Sequence, residues 1–161
     1  VGKGYACDRG AALLATYDTC GIITVGGSIA LCGTKPSGDK WKVSVASPED
    51  INKSVGTLSL EGGNFISTSG DSQRYFEYEG NRYHHIIDGK TGYPSKSDLK
   101  AVTVVCDSGL LSDALSTACF IVGYEKSLPL LEQYNAGAVF IKTDGKIVTT
   151  SGLEGVFKAT K

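Results

Sequence analysis

The sequence predicts an α+β domain: a mixed or antiparallel sheet built from hairpins, with grouped helices packed on it. Three observations carry that prediction. Short apolar runs separated by glycine-centred turns arrive in pairs, as hairpins do. The helical periodicities are grouped, two of them back to back late in the chain. No strand, helix, strand alternation recurs that would build a parallel array.

In order, Ala6, Ala11, Leu13, Leu14 and Tyr17 recur at near-helical spacing, so a first helix is expected from Tyr5 to about Thr19, stopped by Cys20-Gly21. Ile22 to Val25 reads as a buried strand. Gly26-Gly27-Ser28 then reads as a turn, or as a place where a ligand meets bare backbone. Ile29 to Cys32 resumes the sheet, Thr34 to Asp39 reads as a hairpin loop, and Trp41 to Ala46 alternates as a half-buried strand. Ser54 to Glu61 and Asn64 to Ser67 flank Gly62-Gly63, predicting another hairpin, and Ser67-Thr68-Ser69-Gly70-Asp71 is expected to leave it as a hydroxyl-rich loop. Arg74 to Tyr78 and Asn81 to Tyr83 bracket the tight turn Glu79-Gly80. Ala101 to Cys106 is a β-branched run, hence an interior strand. Leu110 to Val122 and Glu125 to Tyr134 are helices ending near Gly123 and Asn135. Ala138 to Ile141 and Ile147 to Thr150 flank Thr143-Asp144-Gly145-Lys146 as a last hairpin, and Ser47 to Asp50 and Ser151 to Glu154 are polar loops.

The 161 residues fit one domain, residues 1–161, and no stretch is long enough to be a linker. Sixteen basic and seventeen acidic residues, with no Lys or Arg run to track phosphates, exclude nucleic acid as the expected partner. No apolar run approaches the roughly 18 residues that span a bilayer. Methionine is absent and the chain opens at Val1, which predicts a fragment or processed product whose export signal or lipid anchor, if any, lies elsewhere. Cys7, Cys20, Cys32, Cys106 and Cys119 are odd in number and widely spaced, and read as small buried hydrophobes, weakly against a strongly oxidising compartment.

The chemistry concentrates in His84-His85-Ile86-Ile87-Asp88-Gly89-Lys90-Thr91-Gly92-Tyr93 and in Ser112-Asp113-Ala114-Leu115-Ser116-Thr117. The two histidines are the only ones in the chain, and a neutral imidazole accepts a proton or orients a ligand near pH 7. Asp113 and Thr117 stand four apart on a helix, so a carboxylate and a hydroxyl share one face. That pair suits magnesium, which binds few protein oxygens and keeps other positions for water and phosphate. Each residue also has a plain reading: Asp113 as a dipole-complementing carboxylate, and Thr117 as a hydroxyl bonding back to a carbonyl. Asp88 either contacts ligand or His85, or simply makes a turn. Ser67, Thr68 and Ser69 before Gly70 either form a polar turn or hold phosphate and ribose. Lys3, between glycines at a helix start, either is solvated or pairs with phosphate where amides point outward. Tyr75 and Phe76 are not assigned to a ligand. A serine-hydrolase reading fails for want of a Gly-x-Ser-x-Gly elbow.

With these motifs in order, the chain resembles the C-terminal portion of the FAD:protein FMN transferase (ApbE) family over nearly its whole length. Gly2-Lys3-Gly4-Tyr5-Ala6, Val25-Gly26-Gly27-Ser28-Ile29, Ser67-Thr68-Ser69-Gly70-Asp71 with Arg74-Tyr75-Phe76, His84-His85-Ile86-Ile87-Asp88 with Thr91-Gly92-Tyr93-Pro94, and Asp113-Ala114-Leu115-Ser116-Thr117 carry the likeness. Ser28 stands where the family usually has an acidic or amide residue, and Gly89 where it often has proline.

The resemblance implies magnesium-dependent transfer of FMN from FAD to a threonine or serine hydroxyl of an acceptor protein, with release of AMP. It implies Asp113 and Thr117 as metal ligands and a backbone ligand near or just before Val1. Because neighbours on a strand face opposite ways, only one of His84 and His85 points into a given cleft, and His85 is expected to face the flavin phosphates as catalytic base or charge-stabilising group. Lys3, Ser67, Thr68, Ser69, Gly70, His84 and Asp88 are the expected contacts to FAD. Hydrolysis of FAD to FMN and AMP, or FAD binding without turnover, are the alternative outcomes. The family is mostly extracytoplasmic and often lipid-anchored, so a membrane is expected only through an anchor outside this chain.

Overall fold

The computed structural model describes residues 1–72 and 74–160. Helix α1 (Gly2–Ala15) leads into strands β1 (Gly21–Val25), β2 (Ser28–Cys32), β3 (Trp41–Ala46), β4 (Ser54–Leu60) and β5 (Phe65–Gly70). Strands β6 (Tyr75–Tyr78), β7 (Asn81–His84) and β8 (Leu99–Cys106) follow, then helices α2 (Gly109–Val122) and α3 (Tyr124–Gln133). Strands β9 (Gly137–Lys142) and β10 (Ile147–Thr149), a 3-10 turn at Ser151–Leu153 and strand β11 (Phe157–Ala159) complete the chain.

Six strands form one sheet in the order β1-β2-β5-β8-β9-β10, three form a second, β11-β4-β3, and β6 with β7 makes a third. All pairings are antiparallel. The large sheet has a core on each face. On one face Val102, Val104, Ala138 and Phe140 meet Leu115, Cys119, Phe120 and Leu131 from α2 and α3, while Ala30, Cys32 and Phe65 meet Cys7 of α1. On the other, Leu31, Ile66, Val105 and Ile141 meet Val43, Val45, Leu58 and Leu60 of the small sheet. The α+β expectation therefore holds, as three layers. No helix among the described residues is long and apolar enough to cross a membrane.

Several expectations are corrected. The first helix starts at Gly2 rather than Tyr5, because Gly4 serves a close helix contact instead of breaking the helix, and it ends at Ala15, before Asp18 turns left-handed (φ 47°). Strand β1 is a half-exposed edge strand, with Ile22 outward, rather than buried. Neither Thr34 to Asp39 nor Gly62-Gly63 closes a hairpin: β2 and β5 lie in the large sheet, β3 and β4 in the small one. Both segments cross between layers, because the apolar faces of the two sheets must bury each other. The crossings touch at Leu31, whose N–H donates to Asn64 O (2.9 Å) and whose carbonyl accepts from Gly63 N–H (2.6 Å). Ser67 to Gly70 is not a loop but the second half of β5, paired with Val104 to Ala101 of β8. Polar residues tolerate that interior position because other hydroxyls face them. The short strand β11, beside β4, escaped the sequence reading.

Candidate functional site

Helices α1 and α2 cross at their first turns. Gly4 and Gly109 meet there backbone to backbone, and a Cβ on either would overlap the other's carbonyl. Each helix also supplies a carboxylate to the other's N-terminus, where backbone N–H groups lack intrahelical partners. Asp8 of α1 accepts from Gly109 N–H (2.6 Å) and Leu110 N–H (2.8 Å). Asp113 of α2 accepts from Gly4 N–H (2.9 Å) through Oδ2, which also lies 3.3 Å from the Val1 amino nitrogen. Both contacts use Oδ2, and no hydrogen bond reaches Oδ1 among the described residues.

One turn along α2, Thr117 donates to Asp113 O (3.3 Å), the back-bond expected of a helical threonine, and its oxygen lies 3.2 Å from Ser69 Oγ. Ser69 also bonds Ser116 (3.0 Å). Beneath them Ser67 donates to Ser28 (3.0 Å) and shares a hydrogen bond with Ser112 (2.9 Å), and all three are almost fully buried. Serine at position 28 thus has a plain packing role: its hydroxyl faces Ser67. Thr68 points to the opposite face of the sheet, onto Thr103 (2.8 Å). Its neighbours Ser67 and Ser69 face α2, as strand alternation requires. Gly70 lies close to β8, where a Cβ would sit 2.9 Å from Lys100 O.

Lys3 is exposed on the first turn of α1, and its side chain lies along the β1–β2 turn. A Cβ on Gly26, itself left-handed at φ 58°, would sit 3.0 Å from Lys3 Cδ and 3.6 Å from Nζ. Lys3, Gly26-Gly27, Ser69, Asp113 and Thr117 are thus gathered around the helix crossing, with a cation, a carboxylate and hydroxyls together.

The histidines part company. His84 is buried, its Nδ1 accepts from Ile86 N–H (3.3 Å), and its ring meets Phe120 edge-on at 5.5 Å, one turn beyond Thr117. A ring that accepts at Nδ1 carries its proton on Nε2 when neutral, and Nε2–H then donates to Ser95 O (3.0 Å). His84 is fully engaged in holding its own loop. His85 is exposed, and its Nδ1 lies 3.3 Å from Arg74 O, a carbonyl that can only accept. In the neutral ring Nδ1 therefore carries the proton, which leaves the lone pair on Nε2. Asp88 makes the turn: Oδ1 accepts from Lys90 N–H (2.9 Å) and its carbonyl from Gly92 N–H (2.8 Å).

No group of three or more His, Cys, Asp or Glu side chains poised for a metal occurs among the described residues. The donor set at the crossing is therefore one carboxylate with an uncommitted oxygen and one hydroxyl. That sparse, all-oxygen set fits magnesium and disfavours zinc, which wants nitrogen or sulfur. Sequence reading missed Asp8, Ser116 and Ser95. Asp8 gave no signal because the N–H groups it caps lie 101 and 102 residues away.

A family model described as the ApbE family matches residues 1–141. The chain belongs to the ApbE family. Among curated members, it is 32% identical to the FAD:protein FMN transferase of Treponema pallidum, over 95% of this chain and 45% of that protein. It is also 32% identical to that of Escherichia coli K12, over 90% of this chain and 42% of that one. Among solved structures, the ApbE protein of Thermotoga maritima superposes with a TM-score of 0.87 at 30% identity, covering 96% of this chain and 50% of that one. The Pseudomonas stutzeri flavinyl transferase ApbE gives 0.79 at 32%, covering 99% and 50%. The chain thus spans less than half the length of these curated relatives, and the half it spans includes the helix crossing.

Proposed function

We propose that this chain carries the catalytic face of a magnesium-dependent FAD:protein FMN transferase. The observation that carries the reading is Asp113, oriented by Gly4 N–H with an oxygen to spare and with Thr117 on the same helix face. The names of the relatives support the same reaction class.

Asp113 and Thr117 would hold the cation, which neutralises charge on the FAD pyrophosphate when bound. The ammonium of Lys3 and the outward N–H groups at the start of α1 attract phosphate oxygens from the neighbouring side. Ser69 orients Thr117. Ser67, sealed beneath, fixes β5 against α2 rather than touching FAD, and Thr68, on the far face, reaches the site only through its backbone. His84 and Asp88 shape the segment that presents His85.

His85 Nε2 takes the proton of the acceptor hydroxyl as its oxygen bonds to the phosphorus of the FMN half. The bond from that phosphorus to the bridging oxygen breaks, and AMP leaves with the bridging oxygen and both electrons of the bond. Positioning and charge stabilisation carry most of such a transfer.

The test is mass spectrometry of a threonine-containing acceptor protein after incubation with this chain, FAD and magnesium, with AMP measured in the same tube. An FMN-sized mass gain matched by AMP is the expected result. AMP alone would turn the assignment to FAD hydrolysis, and neither product would leave a binding half only.

A further inference from the structure

The edge of the β6–β7 sheet leads directly into His85. His85 N–H donates to Arg74 O (3.2 Å), and the register runs Tyr75 with His84, Phe76 with Tyr83 and Glu77 with Arg82. Hydrogen-bonded and non-hydrogen-bonded pairs alternate along an antiparallel ladder. Phe76 with Tyr83 is therefore the next bonded pair, and the main-chain groups of Arg82 and His84 point away from β6. The same outward side continues at Ile86, whose carbonyl accepts from Ser95 N–H (3.0 Å), and at Asp88, whose N–H donates to Tyr93 O (2.9 Å). The returning chain pairs with those two residues and then turns off into β8. At Arg82 and His84 the outward N–H and C=O have no partner among the described residues.

Beside that stretch lies a cleft of about 520 Å³, lined by residues 81–84, Asp88, Thr91 and residues 93–96. Ser95 lines it too. Its hydroxyl is buried and has no hydrogen-bond partner among the described residues. The Arg82 guanidinium is drawn toward β6, 4.0 Å from the Tyr75 ring centroid and 3.5 Å from Glu77. It does not need to cross the outer edge.

We propose that the acceptor polypeptide binds here as an extended segment, added to β7 as a third strand. The inference rests on the FMN-transfer reading above and names how its protein substrate docks. Donors and acceptors repeating every second residue, about 7 Å apart, match the main chain of another strand and not a compact ligand. The added strand would also supply a partner for Ser95. Because the edge ends at His84, the next residue along the ladder is His85, so a hydroxyl carried on the segment arrives beside the free Nε2.

Proline at position 82 removes the outward N–H without touching the β6–β7 bonds, since edge strands tolerate proline where its nitrogen faces outward. Wild type, Arg82→Pro and a control on the opposite edge, Glu77→Pro, are each titrated against an array of synthetic peptides with one central threonine and varied flanks. Circular dichroism confirms that all three fold. Peptides held by wild type and by Glu77→Pro are expected to bind Arg82→Pro about tenfold more weakly. Equal binding to both variants, or no binding by wild type, overturns the docking edge. Adding FAD and magnesium to the bound peptides separates this inference from the one beneath it. Edge-dependent binding without FMN transfer keeps the docking strand and removes the chemistry, whereas transfer indifferent to Arg82→Pro keeps the chemistry and removes the strand.

Discussion

Asp113 is oriented through Oδ2, which leaves Oδ1 for the proposed cation, so charge and orientation are separable. Asp113→Asn keeps an amide oxygen to accept from Gly4 N–H but loses the negative charge. We expect its thermal unfolding to stay close to wild type. Magnesium affinity, measured by titration calorimetry, should fall by more than about 100-fold, a loss that second-shell changes alone can reach. Unchanged affinity would end the metal assignment. At this scale the sequence was informative wherever the partner was local: Asp113 and Thr117 share a face because a helix has fixed periodicity, and the split between His84 and His85 follows from strand alternation. What stayed hidden was contact at a distance. Nothing near Ser67 foretells Ser28 or Ser112, which lie 39 and 45 residues away, and so the three hydroxyl residues that read as a ligand loop, Ser67, Thr68 and Ser69, include one spent on packing.

Between elements, single carboxylates bind N-termini that would otherwise be unsatisfied. Asp8→Ala removes both acceptors from the start of α2 and should cost about 1–2 kcal/mol in urea unfolding, the usual range for a lost cap. Ser108 still caps Leu111 (3.3 Å), which keeps the loss from being larger. Asp98 plays the same part for α3, accepting from Tyr124 N–H (3.0 Å) while lying 3.2 Å from Lys142 of β9. Burial pushes its carboxyl up, but the Tyr124 N–H and Lys142 outweigh that and hold it below the usual carboxylate range. A depressed folded value means stability is present above the unfolded value, near pH 4, and is lost as pH falls through the folded one. The melting-temperature gap between wild type and Asp98→Asn should therefore be full at neutral pH and close in strong acid. A gap independent of pH would contradict the ion pairing. Elements themselves were mostly legible, since periodicity reports them. Connections were not: residues 34–39 and 61–64 have the glycines and polar residues of hairpin turns, and only the demand that two sheets bury each other's apolar faces makes them crossings.

For the molecule as a whole, the three layers bury four of the five cysteines, and all five are free. Burial pushes the thiols of Cys7, Cys32, Cys106 and Cys119 up, so little thiolate forms at neutral pH. A thiol reagent should modify Cys20 promptly and the others only at the rate of global unfolding, read by mass spectrometry of quenched aliquots. A second fast thiol in the native state would show that one layer opens by itself. The sheet order is the feature least available to sequence, because β5 lies between β2 and β8 through pairings 31 to 41 residues apart.

The exchange of carboxylates between α1 and α2 restricts how the site can move. If either helix slid along its axis by one residue, about 1.5 Å, Asp8 and Asp113 would both lose their amides at once, and the glycine contact would jam against a neighbouring side chain. The two helices are yoked. In the proposed transferase, adjustment to the pyrophosphate would therefore fall to the β1–β2 turn, the Lys3 side chain and the segment bearing His85, set against an anchor that does not yield.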